Sequence, residues 1–327
     1  MSGIGHQRYL HGPPITAQVG CEFKMNADNC TMFTTKAYRE DQWTTHRLLI
    51  WTAKHFAKQQ IQSPRLAAEL LLAHVLKTTR LKLYTDSERP TSMAERTNLR
   101  ELVIRAARHE PVQYLTGHAP FMTMMLQVNP SVLIPRPSTE TIVEHVIQRE
   151  DHSSNRNITI GDIGTGSGAI AVALAKYLKD CRVIATDLHA DALEVAGQNA
   201  QAIDVDQRIS FHQGNLLLAI PEGQKLDYLV SNPPYISDPE WQQVAPNIKD
   251  FEPHHALRGG IDGLNIIRPL LAMARNYMKD TAQLVLEIAA SQAKQVLELA
   301  NQTPGLTPTQ ILHDHEGLPR VLVANAT

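Results

Sequence analysis

The sequence predicts an α/β protein in which a small N-terminal helical domain and a β-hairpin linker precede a doubly wound, mostly parallel sheet. Helical periodicity runs from about residue 42 to 110, turn residues and β-formers fill the next segment, and short apolar strands alternate with helices beyond residue 157. We therefore divide the chain into a disordered tail (1–40), a helical domain (41–110), a hairpin linker (111–137) and a sheet domain (138–327).

The composition is that of a globular protein. With 43% hydrophobic and 20% charged residues among 327, the chain can bury a core, which excludes disorder throughout. It contains no apolar run of the roughly 18 residues that a membrane span requires, and its N-terminus lacks the basic start and apolar stretch of a secretory signal. We expect a cytoplasmic protein with no membrane partner.

The three cysteines favour neither a disulfide framework nor a metal site. Cys21, Cys30 and Cys181 are too few for such a framework, and the spacing of the first two matches no common zinc-ligand pattern. We expect reduced thiols and no bound metal.

The N-terminal tail and the domain after it differ in character. Residues 1–40 show no helical or strand periodicity; a mitochondrial transit peptide is the alternative to a disordered tail, but Glu22, Asp28 and the low arginine content argue against it. Residues 41–110 carry twelve Lys/Arg against seven Asp/Glu. This excess suits attraction to RNA, a ribosome or an acidic protein, and it equally suits a solvated helical surface.

Start signals mark the helices of the front domain. Ser63 before Pro64 predicts an N-cap followed by a proline at the first helical position. Ser92 and Glu95 predict a capping box. After this domain, β-forming residues at 112–115, 124–128 and 132–137 predict the hairpin that connects the two domains.

Five short apolar strands are predicted in the sheet domain, with helices such as 169–178 and 190–201 between them. The strands are Ile158–Asp162, Arg182–Asp187, Ile209–His212, Leu226–Ser231 and Leu284–Ile288.

A glycine-rich loop, Asp162-Ile163-Gly164-Thr165-Gly166-Ser167-Gly168, follows the first strand. Its glycines let a ligand approach the backbone where the strand ends. Asp187 ends the next strand, where a carboxylate can accept hydrogen bonds from both hydroxyls of a ribose. NAD and S-adenosylmethionine both contain that ribose, but Asp162 favours S-adenosylmethionine because a carboxylate attracts a cationic amino-acid end and repels a pyrophosphate. We predict S-adenosylmethionine as the cofactor, bound by Asp162, Gly164 to Gly168 and Asp187.

The tetrapeptide Asn232-Pro233-Pro234-Tyr235 follows the fourth strand. Its two prolines fix the backbone and remove two N–H donors. The Asn232 side-chain oxygen and the Pro233 carbonyl can accept both hydrogens of a planar NH2 group and so aim its nitrogen at an electrophilic methyl group. Tyr235 can stack on the planar group. We predict that Asn232, Pro233, Pro234 and Tyr235 are catalytic in methyl transfer to an amide or amine nitrogen, with Asn232 also next to the cofactor.

These motifs resemble the peptide-chain release factor glutamine N5-methyltransferases, also called the HemK or PrmC family. The resemblance covers about residues 42–325 and includes Leu133-Ile134-Pro135-Arg136-Pro137-x-Thr139-Glu140, Glu252-Pro253-x-x-Ala256-Leu257 and Gly260-x-Asp262-Gly263-Leu264. It implies a class I methyltransferase (Rossmann-like) sheet and a helical domain that docks the substrate. Class I release factors are the implied partner, methylated on the glutamine of their Gly-Gly-Gln motif, and direct nucleic-acid binding is not expected.

Two positions depart from that family's pattern. Asn215-Leu216 stand where the family usually has Asp and a large apolar residue beside the adenine. Because an asparagine can still hydrogen-bond an adenine edge, the resemblance carries both positions over as cofactor-binding. Ala289 stands where the family often has glycine after its fifth strand.

Other functions share part of these signals. The tetrapeptide also occurs in adenine-N6 methyltransferases, so an adenine in nucleic acid or a glutamine in a ribosomal protein is the alternative acceptor. An NAD-dependent oxidoreductase has no use for the proline-rich turn. A non-catalytic S-adenosylmethionine-binding partner module is disfavoured by the intact Asp187 and Asn232. The segment 133–140 and the Glu-Pro-x-x-Ala-Leu element favour the release factor glutamine.

Overall fold

A computed structural model describes residues 43–150 and 157–327. The predicted disordered tail, 1–40, and its transit-peptide alternative lie outside the described residues. The α-helices are α1 (Thr45–Lys58), α2 (Pro64–Val75), α3 (Lys82–Thr85), α4 (Met93–Ala106), α5 (Val112–Thr116), α6 (Glu140–Glu150), α7 (Ala169–Tyr177), α8 (Ala190–Ala202), α9 (Asp238–Trp241), α10 (Pro246–Lys249), α11 (Ile267–Tyr277) and α12 (Ala293–Asn301). The strands are β1 (His118–Phe121), β2 (Met124–Gln127), β3 (Ile158–Ile163), β4 (Cys181–Asp187), β5 (Ile209–Gln213), β6 (Leu226–Ser231), β7 (Ile236–Ser237), β8 (Arg258–Gly260), β9 (Met278–Glu287), β10 (Leu306–His313) and β11 (Pro319–Ala326). No helix in these two ranges is long and apolar enough to cross a membrane.

The helices of the front domain pack around an apolar cluster that includes Phe56, Leu71 and Leu99. The predicted capping box is confirmed, since the Ser92 hydroxyl accepts from the Glu95 N–H and the Glu95 carboxylate accepts from the Ser92 N–H. The predicted N-cap at Ser63 is wrong. Ser63 has φ +49°, whereas a capping side chain needs an extended backbone, and its hydroxyl makes no capping bond.

The linker contains the predicted hairpin, but only in its middle. Strands β1 and β2 pair antiparallel. The interpretation of residues 112–115 as strand-forming is wrong: they lie in α5, whose Leu115 packs into the helical cluster, and Gly117 at φ +74° ends that helix. Residues 132–137 form no strand either, and their backbone is used by contacts described below.

The central sheet has seven strands in the order β10-β11-β9-β6-β3-β4-β5. Its strands β3, β4, β5, β6 and β9 are parallel, while β10 and β11 add an antiparallel edge. The prediction of a doubly wound, mostly parallel sheet is confirmed. The five predicted strands are all present, and the two antiparallel edge strands were not predicted.

Two buried clusters cover the two faces of this sheet. Alternate residues of each strand belong to different clusters: Val230 and Val285 pack on one face, and Leu229 and Leu284 pack on the other. Helices α6 and α7 contribute to the first cluster, and α11 and α12 to the second. Because both faces are covered, the central strands β3 and β6 are buried along almost their whole length.

The order of the strands places one crevice at the carboxyl ends of β3 and β6. From β3 the chain continues to β4 and β5 on one side, and then crosses to β6 on the other side of β3. Ligands of doubly wound sheets bind at such a switch point. The Ser231 hydroxyl donates to the Ile163 carbonyl over 2.6 Å and ties the two strand ends together. The glycine-rich loop and the proline-rich tetrapeptide therefore leave the sheet side by side.

Candidate active site

A cavity of about 370 Å³ opens at this switch point, a volume suited to a small ligand. Four of its walls are loops that follow β3, β4, β5 and β6, and two more come from residues 131–139 and 255–258. Of the predicted site residues, the following line it: Gly164, Thr165, Gly166, Ser167, Asp187, Asn215, Leu216, Asn232, Pro233 and Pro234.

The glycine loop forms the floor of this cavity. Gly164 and Gly166 have φ angles of +71° and +55°, which favour glycine. A Cβ atom added at either residue would meet no atom within 4 Å, so it would project into open space. The loop thus presents bare backbone to the cavity, as a ligand that approaches closely requires.

Gly168, predicted to bind the cofactor, does not line the cavity. A Cβ atom there would lie 3.0 Å from the Cβ of Ala196 on α8. Its φ of +77° also turns the chain into α7. In this structure Gly168 allows two helices to pack closely beneath the loop, which is a different task from ligand contact.

Asp162 lies beneath the loop, fully buried, and does not border the cavity. Its Oδ2 accepts from the Thr165 hydroxyl at 2.6 Å and from the Ala171 N–H at 3.1 Å, while its Oδ1 is buried without a hydrogen-bond partner in the described ranges. Burial raises the pKa of this carboxyl to about 7, with Asp187 raising it further and the two hydrogen bonds opposing the shift. Asp162 therefore does not line the cavity, and its predicted attraction of a cationic ligand, which would act through the loop, stays a prediction.

Asp187 lies at the carboxyl end of β4, on the cavity wall. Its Oδ2 accepts from the Gly166 N–H at 2.9 Å and its Oδ1 from the His189 N–H at 3.0 Å. Each carboxylate oxygen keeps a lone pair for a further donor. The side chain is thus held rigidly by backbone, and its predicted role toward ribose hydroxyls stays a prediction.

Asn215 and Leu216 lie on the cavity wall after β5. Leu216 has φ +49°, unusual for a branched apolar residue, and its carbonyl accepts from the Thr186 hydroxyl at 3.5 Å. Their placement beside an adenine stays a prediction. Ala289, the other departure, has φ −69°, so the backbone there does not require the glycine that the family often has.

Asn232 and the two prolines form the wall opposite Asp187. The Asn232 side-chain nitrogen donates to the Thr139 hydroxyl at 3.0 Å. Its Oδ1 makes no hydrogen bond in the described part of the chain, and it belongs to a side chain that lines the cavity. The oxygen that the sequence assigns to substrate binding is therefore the one that is left free.

Tyr235 turns away from this wall. It does not line the cavity, and its ring packs against the apolar cluster on one face of the sheet. Its hydroxyl donates to Glu287 at 3.3 Å, and burial, with Glu287 nearby, raises the pKa of the phenol. Its predicted stacking on the acceptor stays a prediction that this geometry does not support.

An ion pair at the back of the site was not foreseen from the sequence. The Arg136 guanidinium lies 2.5 Å from Glu252 Oε1, and Glu252 Oε2 accepts from the Ile134 N–H at 3.1 Å. Glu252 is buried, so leaving it without these partners would be costly. These contacts explain why residues 132–137 form no strand: their backbone and side chains bind the Glu252 segment instead.

Asn199 is a second residue that the sequence did not reveal. Its Oδ1 accepts from the Gln127 N–H at 2.6 Å, and its Nδ2 donates to the carbonyls of Gln127 and Ser167. This buried amide joins the hairpin to the glycine loop. The sequence does not indicate these contacts, because whether a polar residue of a helix is buried depends on the tertiary fold.

Two histidines meet at the cavity wall beside Asp187. The rings of His189 and His255 lie 3.7 Å apart between centroids, and both line the cavity. Burial lowers the pKa of His255, the charge of His189 adds to this, and Asp187 opposes it. The contact joins the loop after β4 to the segment after Glu252.

The residues present fit S-adenosylmethionine. The cavity has a bare glycine floor, a carboxylate at a strand end and a second, buried carboxylate with an unpartnered oxygen beneath the floor. The cationic side chains on its walls, Arg136 and Arg258, are paired with Glu252 and Asp238. Asp187 and the ionised fraction of Asp162 therefore make this end of the cavity negative, which suits a cation and opposes a pyrophosphate.

Models of two protein families match the chain. The PrmC N-terminal domain matches residues 47–117, and the methyltransferase small domain matches residues 137–250.

The curated relatives extend this similarity over most of the chain. A release factor glutamine methyltransferase from Rhodopirellula baltica is 38% identical over 86% of this chain and 95% of that protein. Enzymes of the same name from Geobacter sulfurreducens and Chlorobaculum tepidum are 35% and 38% identical, over 86% of this chain and 96% and 97% of theirs. A solved protein-(glutamine-N5) methyltransferase from Alicyclobacillus acidocaldarius is 27% identical over 62% of this chain and 100% of that one, with a TM-score of 0.37.

Proposed function

Since the chain belongs to the release factor glutamine methyltransferase family, we propose that it transfers a methyl group from S-adenosylmethionine to the side-chain amide nitrogen, N5, of the glutamine in the Gly-Gly-Gln motif of class I release factors. The family makes the chain a protein-glutamine methyltransferase. The methyl donor and the Gly-Gly-Gln motif are our proposal. The observation that carries it is Asn232, which lines the cavity at the switch point of the sheet and whose side-chain oxygen stays free while its nitrogen donates to Thr139.

The chemistry requires an amide nitrogen, a poor nucleophile, to be aimed accurately. When bound, S-adenosylmethionine supplies a methyl group on a cationic sulfur. Asn232 Oδ1 and the Pro233 carbonyl accept hydrogen bonds from the two N–H groups of the substrate amide. These bonds raise the electron density on the amide nitrogen and fix its approach to the methyl group. The rigid prolines keep both acceptors in place without reorganisation.

The proton balance needs no strong base. The amide nitrogen loses one proton as it gains the methyl group, and that proton is acidic once the new bond forms. It is already hydrogen-bonded to Asn232 or Pro233, from which water can take it. The buried Glu287 stays behind Tyr235 and Thr139 and does not face the cavity.

We further propose that the helical domain, 41–110, docks the release factor. A groove of about 470 Å³ lies between residues 60–70 and 106–113 on one side and residues 245–247 on the other. Arg136 borders both this groove and the cofactor cavity. A protein bound along the groove would thus reach the cavity directly. Release factors act in the cytoplasm, which is where we expect this enzyme.

The test is a methylation assay with labelled S-adenosylmethionine, a purified class I release factor and, in parallel, a nucleic-acid substrate. We expect label on the release factor, and none with an Asn232→Ala enzyme or a release factor that lacks the glutamine. Label on nucleic acid alone would overturn the proposal and favour the adenine-N6 alternative.

A further inference from the structure

Behind the tetrapeptide, three side chains from distant parts of the chain form a continuous hydrogen-bonded path. Asn232 Nδ2 donates to the Thr139 hydroxyl at 3.0 Å, and that hydroxyl donates to Glu287 Oε2 at 2.7 Å. Thr139 and Glu287 are 4% and 0% exposed, so water does not replace these contacts. The path runs from the carboxyl end of β9, through the turn before α6, to the cavity wall.

The direction of every bond in this path is set by the protons available when Glu287 is ionised. An ionised Glu287 carboxylate can only accept, so the single proton of the Thr139 hydroxyl is committed to it. The Thr139 oxygen can then only accept, and the atom of Asn232 that faces it must be a donor. The NH2 group of Asn232 is thereby turned inward, and Oδ1 is turned toward the cavity.

We propose that Thr139 and Glu287 are positioning residues that set the amide orientation of Asn232, so that its oxygen and not its nitrogen meets the substrate NH2. The effect on catalysis rests on the proposed function, because a reversed Asn232 amide would present its NH2 group to the NH2 group of the substrate glutamine. Glu287 does not border the cavity, and Thr139 borders it with a hydroxyl that is already bonded to Glu287 and Asn232.

The other contacts of Glu287 support this assignment. Its Oε1 accepts from the Ser138 hydroxyl at 3.2 Å and from the Tyr235 hydroxyl at 3.3 Å, and the positive charge of Arg320 acts on it. Burial raises the pKa of Glu287, and the three hydroxyl donors and the Arg320 cation oppose that rise and favour the ionised form. Tyr235 thus contributes to this path through Glu287 and does not line the cavity.

Three variants separate orientation from simple packing. Thr139→Val keeps the shape and removes the hydroxyl, Thr139→Ser restores the hydroxyl, and the matched control Thr141→Val removes a buried hydroxyl that has no hydrogen-bond partner in the described residues. We expect kcat for methyl transfer to fall about 10- to 100-fold in Thr139→Val, the scale of a misoriented reactive group. The other two variants should stay within about threefold of the unchanged enzyme. Affinity for S-adenosylhomocysteine and melting temperature should change little in all three.

A second measurement does not depend on the substrate. In 15N-labelled protein, the side-chain NH2 signals of Asn232, identified by their loss in Asn232→Ala, should shift in Thr139→Val and return in Thr139→Ser. Unchanged NH2 signals in Thr139→Val, or a kcat loss matched by an equal loss of cofactor affinity, would overturn the inference. Absence of release factor methylation by the unchanged enzyme, with the NH2 shift present, would instead overturn the proposed function and leave the orientation effect standing.

Discussion

Asp162 offers a quantitative test of how the cavity floor is built. Its carboxylate is fully buried, and burial raises its pKa from the ordinary 3.8 to about 7. The folded protein therefore holds this proton more tightly than the unfolded chain does. The stabilisation from this group is complete below about pH 4 and is lost as the pH rises to about 7. At about 1.4 kcal/mol per pKa unit, the loss amounts to about 4 kcal/mol.

The perturbation is Asp162→Asn. The variant keeps an acceptor for the Thr165 hydroxyl and the Ala171 N–H but carries no charge at any pH. We measure the free energy of unfolding of both proteins by urea denaturation at a series of pH values. The value for the variant minus the value for the unchanged protein should rise by about 4 kcal/mol between pH 4 and pH 7 and stay constant above pH 7. The exposed Asp250 gives a control, Asp250→Asn, for which we expect no such gain.

Cofactor binding should show the opposite trend. Because an ionised Asp162 attracts a cation, affinity for S-adenosylhomocysteine, which keeps the amino-acid ammonium group, should rise between pH 6 and pH 8 in the unchanged protein. In Asp162→Asn it should be weaker and flatter over that range. If the difference in unfolding free energy between Asp162→Asn and the unchanged protein stays constant from pH 4 to pH 7, the pKa of Asp162 is not raised by burial and this prediction is wrong.

The remaining predictions concern the other walls of the site. Asn232→Ala should abolish methyl transfer while calorimetry shows S-adenosylhomocysteine affinity within about threefold; equal loss of both would show a structural role. Gly166→Ala places a Cβ atom in the cavity and should weaken the affinity for S-adenosylhomocysteine at least tenfold. Gly168→Ala places a Cβ atom 3.0 Å from Ala196 and should mainly lower the free energy of unfolding, by about 1–3 kcal/mol. Reversed effects of the two substitutions would contradict the two assignments. Since burial raises the pKa of Glu287, kcat should fall on acidification at a pH above the ordinary glutamate range. The Glu287→Gln variant should not show that fall. A fall of kcat at the same pH in the variant would mean that another group titrates there.

Much of the fold and the cavity floor could be predicted because their signals are local. The glycine loop and Asp187 each follow a strand directly, and parallel strands place their carboxyl ends at one edge of the sheet. Asn232 follows another such strand. Chain adjacency alone therefore brings these residues to the same crevice, and the five parallel strands were readable from apolar runs bounded by turns.

The rest depends on contacts between residues far apart in the chain. Thr139 lies 93 residues from Asn232 and 148 from Glu287, and no local pattern links them. Gly168 shares a loop with Gly166 but faces a helix, which spacing cannot distinguish. The short apolar run at Val112–Thr116 suits a strand or a helix equally, and packing of Leu115 against the front domain decides for the helix.

The methylated atom can be identified by mass spectrometric mapping of a release factor treated with this enzyme and S-adenosylmethionine. We expect a single methyl group on the side-chain nitrogen of the glutamine in Gly-Gly-Gln, and no methyl group when the Asn232→Ala variant is used instead. A methyl group on another residue of the release factor, or on nucleic acid with the glutamine unmodified, would contradict it.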